Sequence, residues 1–312
     1  MKRLSIVIPI YQNEENIHST MMALLALQHK IDGYSLQLIF VDDGSTDKSY
    51  ELLNEYYHEH PSIIKLVMLT KNFGQSQAIR EGIRLADGDC IGVISADLQD
   101  PPELFLEMLM HWESGVKLVI GERNRREEGS IHRLFSNMYW RFVNKYAVEG
   151  FPSRGFDFCL LDRQVKISLD AITEQNTSVF PLIFWLGYEH TIINYKRRLR
   201  KAGKSQWTLI KKMQLTIDTV IGFTYLPVRF ISSMGVVLSL LSFLYAGFLT
   251  LRWSIFGSAI EGWTSLAILV VAVGGLTLFS LGIIAEYLWR ILDEVRKRPS
   301  VVVDSIKSDR GG

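Results

Sequence analysis

The chain has 312 residues, and its 34 Lys and Arg residues nearly balance 33 Asp and Glu residues, giving a formal net charge of +1. This length suits one large domain or two small ones, and the near-neutral charge argues against nucleic acid as a partner bound through bulk electrostatics. Hydrophobic residues make up 48% of the chain. They are concentrated between Leu226 and Leu292, whereas the residues before have an ordinary globular composition.

The chain begins with an apolar run that predicts a first strand rather than a signal peptide. The segment MKRLSIVIPIYQNEEN has too short an apolar stretch for a signal peptide and no small-residue cleavage site. The two cysteines, Cys90 and Cys159, lie in strand-like runs without the spacing of a metal site. This pattern indicates reduced core residues of a cytosolic domain.

Predicted strands and helices alternate over the first 195 residues. Five apolar runs rich in β-branched residues are typical of strands buried on both faces: Leu4–Ile10, Leu36–Val41, Ile64–Leu69, Cys90–Ser95 and Lys117–Gly121. Helices are predicted at Asn16–Leu27, from a cap at Ser45 to Tyr57, and within TKNFGQSQAIREGI. The alternation predicts an α/β domain with a mostly parallel, Rossmann-like sheet and helices on both faces.

Polar residues follow four of these strands, at Pro9–Tyr11, Asp42–Asp43, Lys71–Asn72 and Asp97–Gln99. Parallel sheets bind ligands at the carboxyl ends of their strands, so we expect these residues along one edge. The sequence has no G-x-G-x-x-G after the first strand and no G-x-x-x-x-G-K-[ST]. The pattern therefore favours a nucleotide ligand other than a dinucleotide or a P-loop triphosphate.

Two long uncharged runs follow, Phe230–Leu251 and Gly262–Ala285. A bilayer core needs about 20 apolar helical residues, so both runs predict transmembrane helices, joined as a hairpin by Arg252–Glu261. Basic residues flank the hairpin: Tyr195–Lys212 holds eight Lys or Arg and no acidic residue, and Arg296–Arg298 is entirely basic. The positive-inside rule then predicts a plasma (inner) membrane protein with both termini and the α/β domain in the cytoplasm.

Apolar residues three or four positions apart in Ser205–Leu226 predict an amphipathic helix before the hairpin. We expect it to lie on the membrane surface, with packing on the α/β domain as the alternative. The predicted organisation is 1–195 the α/β domain, 196–228 the basic loop and surface helix, 229–292 the two transmembrane helices with a short external loop, and 293–312 a cytoplasmic tail.

Four motifs, in this order and spacing, resemble the inverting family 2 glycosyltransferases with a GT-A fold: IVIPIYQNEENI, FVDDGSTDKS, NFGQSQAIREGI and ISADLQDPPE. With the hairpin after the catalytic domain, nearly the whole chain resembles the polyisoprenyl-phosphate glycosyltransferases. These include the dolichol-phosphate mannose synthase relatives and, in particular, the bacterial GtrB-like enzymes.

The resemblance implies transfer of a sugar, with glucose from UDP-glucose as the first expectation, onto undecaprenyl or another polyisoprenyl phosphate. The transfer would invert the anomeric centre and leave a lipid-phosphate-linked sugar on the cytoplasmic leaflet. The implied cofactor is Mg²⁺ or Mn²⁺. The implied partners are a UDP-sugar, the polyisoprenyl phosphate, the lipid bilayer and further copies of the chain in a homo-oligomer such as a tetramer.

The resemblance also assigns roles on the donor side. Asp97 and Gln99 match the family's metal motif, in which oxygen ligands share a divalent cation with a diphosphate, and Asp97 counts as catalytic. The family often has an Asp two residues earlier, where this chain has Ser95. The residues expected to bind the donor nucleotide are Pro9, Tyr11, Glu14, Asp42, Lys71, Arg200 and Lys204. Those expected only to shape turns or helix starts are Asp43, Asp100 and Glu103.

On the acceptor side, the resemblance makes Asp157 catalytic, either as a general base or as an orienting residue. A phosphate monoester has a second pKa near 6, so it scarcely needs a base at neutral pH. A structural ion pair of Asp157 with Arg154 or Arg163 is the alternative. Arg123 and Arg126 are expected to bind the lipid phosphate through guanidinium groups, with a solvated charge run as the alternative.

Two other functions stay open at this point. A processive polysaccharide synthase would carry a Q-x-x-R-W motif and more membrane helices, and the KSQW of this chain lacks that spacing. A catalytically silent membrane assembly subunit would bind a nucleotide without turnover. The intact acidic, basic and nucleoside-pocket positions argue against the silent subunit.

Overall fold

The computed structural model describes residues 1–123, 150–152, 155–174, 177–198, 226–256 and 262–309. The chain divides into two compact units. The first combines Met1–Thr219 with Pro299–Gly312, and the second is Val220–Arg298. The chain therefore leaves the first unit and returns to it after the second.

The described part of the first unit contains one eight-stranded sheet. Its strands are β1 (Lys2–Ile10), β2 (Tyr34–Asp42), β3 (Ile64–Leu69), β4 (Cys90–Val93), β5 (Leu118–Arg123), β6 (Phe158–Asp162), β7 (His190–Tyr195) and β8 (Val303–Lys307). Their order is β7-β5-β6-β4-β1-β2-β3-β8. Only β6 and β8 run antiparallel to their neighbours among these strands. The expected mostly parallel GT-A sheet is confirmed.

Helices cover both faces of this sheet. They are α1 (Glu14–Gln28), α2 (Ser49–Glu59), α3 (Gln75–Arg84), α4 (Leu104–Glu113), α5 (Arg163–Asp170) and α6 (Val179–Trp185). Successive side chains of a strand point to opposite faces. Ile6 and Ile8 of β1 accordingly join the apolar core that includes Met21 of α1 and Phe105 of α4, while Val7 lies against α3 on the other face.

One local prediction, the cap of α2, needs correction. Helix α2 begins at Ser49, and Ser45 does not cap it, because its hydroxyl accepts a hydrogen bond from the Gln12 amide at 3.0 Å. Both cysteines, in contrast, are buried and unbridged, as expected.

The segment predicted as a cytoplasmic tail supplies an edge strand. β8 pairs with β3 in antiparallel register, and the Thr70 amide donates to the Val302 carbonyl at 3.0 Å. The Lys307 ammonium donates to the Asn54 side-chain oxygen at 2.7 Å, which ties β8 to α2. The β-branched run VVVDSIK is typical of a strand. The strand order adds what the sequence does not show, namely that β3 offers an open sheet edge with which this run can pair.

The described part of the second unit consists of two long helices, α7 (Leu226–Phe256) and α8 (Trp263–Arg296). Within the described residues, one stretch is long and apolar enough to cross a membrane, Val273–Arg296, with a mean hydropathy of 1.4. Large apolar side chains on both helices are exposed, including Phe230, Leu240, Leu244, Phe248, Leu269, Val270, Leu278 and Phe279. Exposed apolar surface of this extent marks a site of interaction with another protein or with a membrane. Ser205–Leu226, predicted as a surface helix, lies outside the described residues apart from Leu226.

A tight contact at Gly82 gives a test of this packing. A methyl group on Gly82 of α3 would lie 2.3 Å from Val7 Cγ1 and 3.1 Å from Val41 Cγ2. Overpacking a core costs about 1–3 kcal/mol, against about 1 kcal/mol gained in helix propensity. We therefore expect Gly82→Ala to lower the thermal unfolding midpoint of the detergent-solubilised protein.

The matched control is Gly282→Ala, another helical glycine, where a methyl group would meet no atom within 4 Å. This variant should unfold at the wild-type temperature or slightly above. A Gly82→Ala protein as stable as wild type would contradict the close contact between α3 and β1.

Candidate functional site

Strand direction gathers the site at one edge of the sheet. The carboxyl ends of β1 to β4 lie together because these strands are parallel. β4 and β5 each pair antiparallel with β6, so β5 and its parallel neighbour β7 end at the same edge. The amino end of β6 also lies there, which places Asp157 beside the other predicted residues.

Asp42 ends β2 directly opposite Ile10 of β1 and is fully buried. Its Oδ1 accepts a hydrogen bond from the Ser45 amide at 2.7 Å. Its Oδ2 is buried with no hydrogen-bond partner among the described residues, and burial raises the pKa of this carboxyl. A buried acceptor without a donor is costly, so this oxygen is suited to a ligand donor.

Asp43 does more than shape the turn with Gly44. Its two carboxylate oxygens accept hydrogen bonds from the Phe73 and Gly74 amides at 2.6 and 2.9 Å. Gly44 has a φ of +70°, and a methyl group there would lie 2.6 Å from the Lys71 backbone. The acidic turn after β2 and the loop that opens α3 are therefore joined through backbone contacts.

The predicted nucleoside-pocket residues at the ends of β1 and β3 lie at the same edge. Pro9 is in β1, Tyr11 follows it half-buried, and Lys71 is exposed beside the Phe73 ring, with its Nζ 5.1 Å from the ring centroid. Glu14 is exposed and engaged elsewhere, since its Oε2 accepts from the Lys48 amide at 3.0 Å.

The loop after β4 holds Asp97 and Gln99, both almost completely buried. Asp97 Oδ1 accepts from the Ser95 hydroxyl at 2.8 Å and from the Gln99 amide at 3.2 Å. Between them, Leu98 has a φ of +52°, rare for a residue with a branched side chain. Strain of this kind persists only where the surroundings enforce it and clusters at functional loops.

Arg123 at the end of β5 pairs directly with Asp157, which precedes β6. The two residues were expected to serve the acceptor separately, and the structure joins them. Of the two alternative partners expected from the sequence, Arg163 is not the one observed, and Arg154 lies outside the described residues. Asp157 Oδ1 is buried and has no hydrogen-bond partner among the described residues.

Asp100 is the residue that sequence reasoning underestimated. It was expected to be a solvated turn residue, but its side chain is 0% exposed. It accepts hydrogen bonds from the Ser95 hydroxyl and from the Tyr195 hydroxyl. No local pattern signals the second bond, because 95 positions separate the two residues. Glu103, in contrast, is exposed at the start of α4, as expected.

Three of the predicted site residues, Arg126, Arg200 and Lys204, lie outside the described residues. Asp162 lies at the other end of β6, where it caps α5 by accepting from the Gln164 amide at 2.8 Å.

The described residues contain no group of three or more His, Cys, Asp or Glu side chains that could hold a metal. Asp97 and Gln99 nevertheless fit a divalent cation of the magnesium type. Such an ion uses one or two carboxylates, keeps several waters and takes further ligands from substrate phosphates. A buried carboxylate and a buried amide on one strained loop form an oxygen donor set of this kind.

Comparison with known proteins identifies the family. The profile of glycosyl transferase family 2 matches residues 5–164. The chain is 36% identical over 301 residues to the uncharacterized glycosyltransferase YkcC of Bacillus subtilis (strain 168), covering 96% of this chain and 92% of that protein. It is 28% identical to the bactoprenol glucosyl transferase of Shigella phage SfII, covering 99% of each.

Among solved structures, glucosyl-3-phosphoglycerate synthase from Mycobacterium tuberculosis in complex with Mg²⁺ and uridine-diphosphate matches 69% of this chain and 76% of its own, with 17% identity and a TM-score of 0.49.

The sheet, its acidic strand ends and the sequence matches define a GT-A glycosyltransferase. The chain belongs to glycosyl transferase family 2, and the resemblance recognised in the four motifs is confirmed.

The burial of Asp43 predicts a pH dependence. Burial raises the pKa of Asp43 from 3.8 to about 6. Between these pH values the native state keeps a proton that the unfolded state has released, so stability falls as pH rises. As pH rises from about 4 to about 6, we therefore expect the unfolding midpoint of wild type to fall relative to that of Asp43→Asn.

Tryptophan fluorescence during heating would measure these midpoints, with Asp32→Asn, an exposed carboxylate at the opposite edge, as the control without such a shift. A difference that grows in favour of wild type over this range would contradict a raised pKa for Asp43.

Proposed function

We propose that the protein transfers glucose from UDP-glucose to a polyisoprenyl phosphate, undecaprenyl phosphate in bacteria, with inversion at the anomeric carbon. The proposed acceptor rests on one observation, the alignment with a bactoprenol glucosyl transferase that covers 99% of both chains. This alignment extends beyond the α/β domain through both long helices. The polar edge of the sheet supports the chemistry, because donor-side and acceptor-side groups lie along it together.

On the donor side, the buried Asp42 Oδ2 accepts a hydrogen bond from the nucleoside, and Pro9 and Tyr11 border the base. Lys71 lies on the loop that Asp43 holds in place. Asp97 and Gln99 hold Mg²⁺ or Mn²⁺ in this proposal, and a bound cation supplies charge that stabilises the departing nucleoside diphosphate. The Ser95 hydroxyl and the backbone N–H of Gln99 donate to the Asp97 carboxylate and orient it.

On the acceptor side, Arg123 binds the lipid phosphate and Asp157 orients Arg123. A guanidinium carries five N–H donors in a planar fork, which suits bidentate pairing with phosphate oxygens. The phosphate is already mostly dianionic at neutral pH, and the Asp157 carboxylate is engaged by a guanidinium. Positioning the nucleophile, rather than removing a proton from it, is therefore the role we assign to Asp157. The phosphate oxygen attacks the anomeric carbon opposite the diphosphate.

The path of the chain supports a two-helix membrane hairpin. β8 lies in the same sheet as β1, so a chain that crosses a bilayer between them must cross it an even number of times. α8 contains the apolar span Val273–Arg296. α7 has 31 residues, about 46 Å of helix at 1.5 Å per residue, which exceeds a bilayer core of about 30 Å. We therefore propose that both helices cross, with both termini in the cytoplasm.

Sugar transfer is tested with purified protein in detergent, undecaprenyl phosphate, Mg²⁺ or Mn²⁺ and a panel of labelled sugar nucleotides. Label from UDP-glucose should enter the organic phase. Asp97→Ala should lower this rate about a hundredfold or more, since metal charge stabilisation is worth several kcal/mol and about 1.4 kcal/mol is tenfold. The exposed Asp32→Ala at the opposite edge should keep the wild-type rate.

Other results of this assay would point to a different sugar or to one of the alternative functions. Lipid-soluble label from another donor would replace glucose with that sugar. Label in insoluble polysaccharide would indicate a processive synthase. UDP binding without label in any product would refute the proposed acceptor and favour the silent assembly subunit. Light scattering in detergent would measure the proposed homo-oligomer.

Membrane topology is tested by cysteine labelling in intact cells with an impermeant maleimide. Gly262→Cys, between the two helices, should react, whereas Asp309→Cys, beyond β8, should react only after permeabilisation. The native Cys90 and Cys159 are buried, and burial raises the pKa of both thiols, so they give little background. Labelling of Asp309→Cys in intact cells would overturn the proposed orientation.

A further inference from the structure

Asp100 is a fully buried carboxylate that the proposed reaction does not use directly. Its side chain is 0% exposed, and it lies one residue after Gln99. Placing a carboxylate in the protein interior costs free energy unless several donors compensate for lost water. The donors that surround Asp100 come from separate parts of the site, and they indicate what the residue does.

The first donor belongs to the proposed metal loop. The Ser95 hydroxyl lies 3.1 Å from Asp100 Oδ2 and 2.8 Å from Asp97 Oδ1. A serine hydroxyl carries one proton, so it donates to one of these carboxylates at a time. Because Ser95 and the backbone connect the two residues, the position of Asp100 influences how Asp97 is held.

The second donor comes from the acceptor side. Tyr195 ends β7 and donates its hydroxyl to Asp100 Oδ1. It is the register partner of Arg123 on β5, and the Arg123 side chain also hydrogen-bonds to Tyr195. Arg123 in turn pairs with Asp157. A continuous set of polar contacts thus runs from Asp97 through Asp100 and Tyr195 to the Arg123–Asp157 pair.

The residues after β7 also attach to this loop. Arg197 Nε lies 3.4 Å from Asp100 Oδ1. The Arg198 amide donates to the Gln99 carbonyl at 2.8 Å, and its guanidinium lies 3.1 Å from Glu103. The loop after β4 is therefore held from β7 by backbone and side-chain contacts, with Asp100 as its buried centre.

We propose that Asp100, with Tyr195, is a positioning residue that sets the geometry of Asp97 and Gln99 for a divalent cation and couples it to Arg123. This inference rests on the proposed function, because it assigns a cation to Asp97 and Gln99 and the acceptor phosphate to Arg123. In this proposal Asp100 itself contacts neither the cation nor the acceptor phosphate. Partners that orient a metal ligand typically change metal affinity or activity by about 10- to 100-fold when they are lost.

The test measures UDP binding by titration calorimetry over a range of Mn²⁺ concentrations. Asp100→Asn keeps the size of the side chain but replaces one carboxylate oxygen with an NH2 donor, so only one of the Ser95 and Tyr195 hydroxyls keeps its acceptor. We expect it to need at least about tenfold more Mn²⁺ for half-maximal UDP binding. Tyr195→Phe, which loses one hydroxyl, should shift the Mn²⁺ requirement in the same direction.

The matched control is Asp162→Asn, a buried carboxylate at the opposite end of β6 that accepts from the Trp112 indole at 2.8 Å. It should lower the unfolding midpoint but leave the Mn²⁺ requirement unchanged. A wild-type Mn²⁺ requirement in Asp100→Asn would overturn the inference. If that variant does not fold, a wild-type requirement in Tyr195→Phe decides the same way.

The transfer assay separates this inference from the proposed function. Wild-type protein that binds UDP with Mn²⁺ but transfers no sugar to the lipid would refute the proposed function, while the calorimetry still decides the role of Asp100. Wild-type transfer together with an unchanged Mn²⁺ requirement in both variants would refute the role of Asp100 alone.

Discussion

The direction of β6 is the constraint on which the site depends. Because β6 runs antiparallel between β4 and β5, its first residues lie at the edge where the parallel strands end. This reversal brings Asp157 to Arg123. A parallel β6 would place Asp157 at the far edge of the sheet, where Asp162 lies in the observed fold. The backbone hydrogen bonds of one strand therefore determine which side chains can act on one substrate.

Burial of carboxylates is the second organising feature. Asp42, Asp43, Asp97 and Asp100 are each at most 7% exposed, and each accepts hydrogen bonds from the loops around it. Such groups are costly to bury, so the fold retains them with donors arranged at fixed positions. Backbone amides hold Asp43, whereas hydroxyl groups hold Asp100. The same donors that compensate for burial also hold the loop after β3 against the turn after β2, and the loop after β4 against β7.

The return of the chain into the sheet brings its C-terminal segment next to the donor-side loop. β8 adds to β3 only after α7 and α8 have been traversed, and the contact between Thr70 and Val302 lies next to Lys71. The end of the second helix is thus followed within a few residues by a strand bordering the donor-side loop.

The sequence by itself determined the alternation of strands and helices, the apolar helices and the acidic strand ends, because buried strands and long apolar helices impose local patterns on composition. The motifs also identified the family. Only the tertiary structure decided the pairing of Arg123 with Asp157, the burial of Asp100 and the incorporation of the C-terminal segment as β8. Each of these depends on strand order and direction, which are set by contacts between residues far apart in the chain and leave no periodic signal in the sequence.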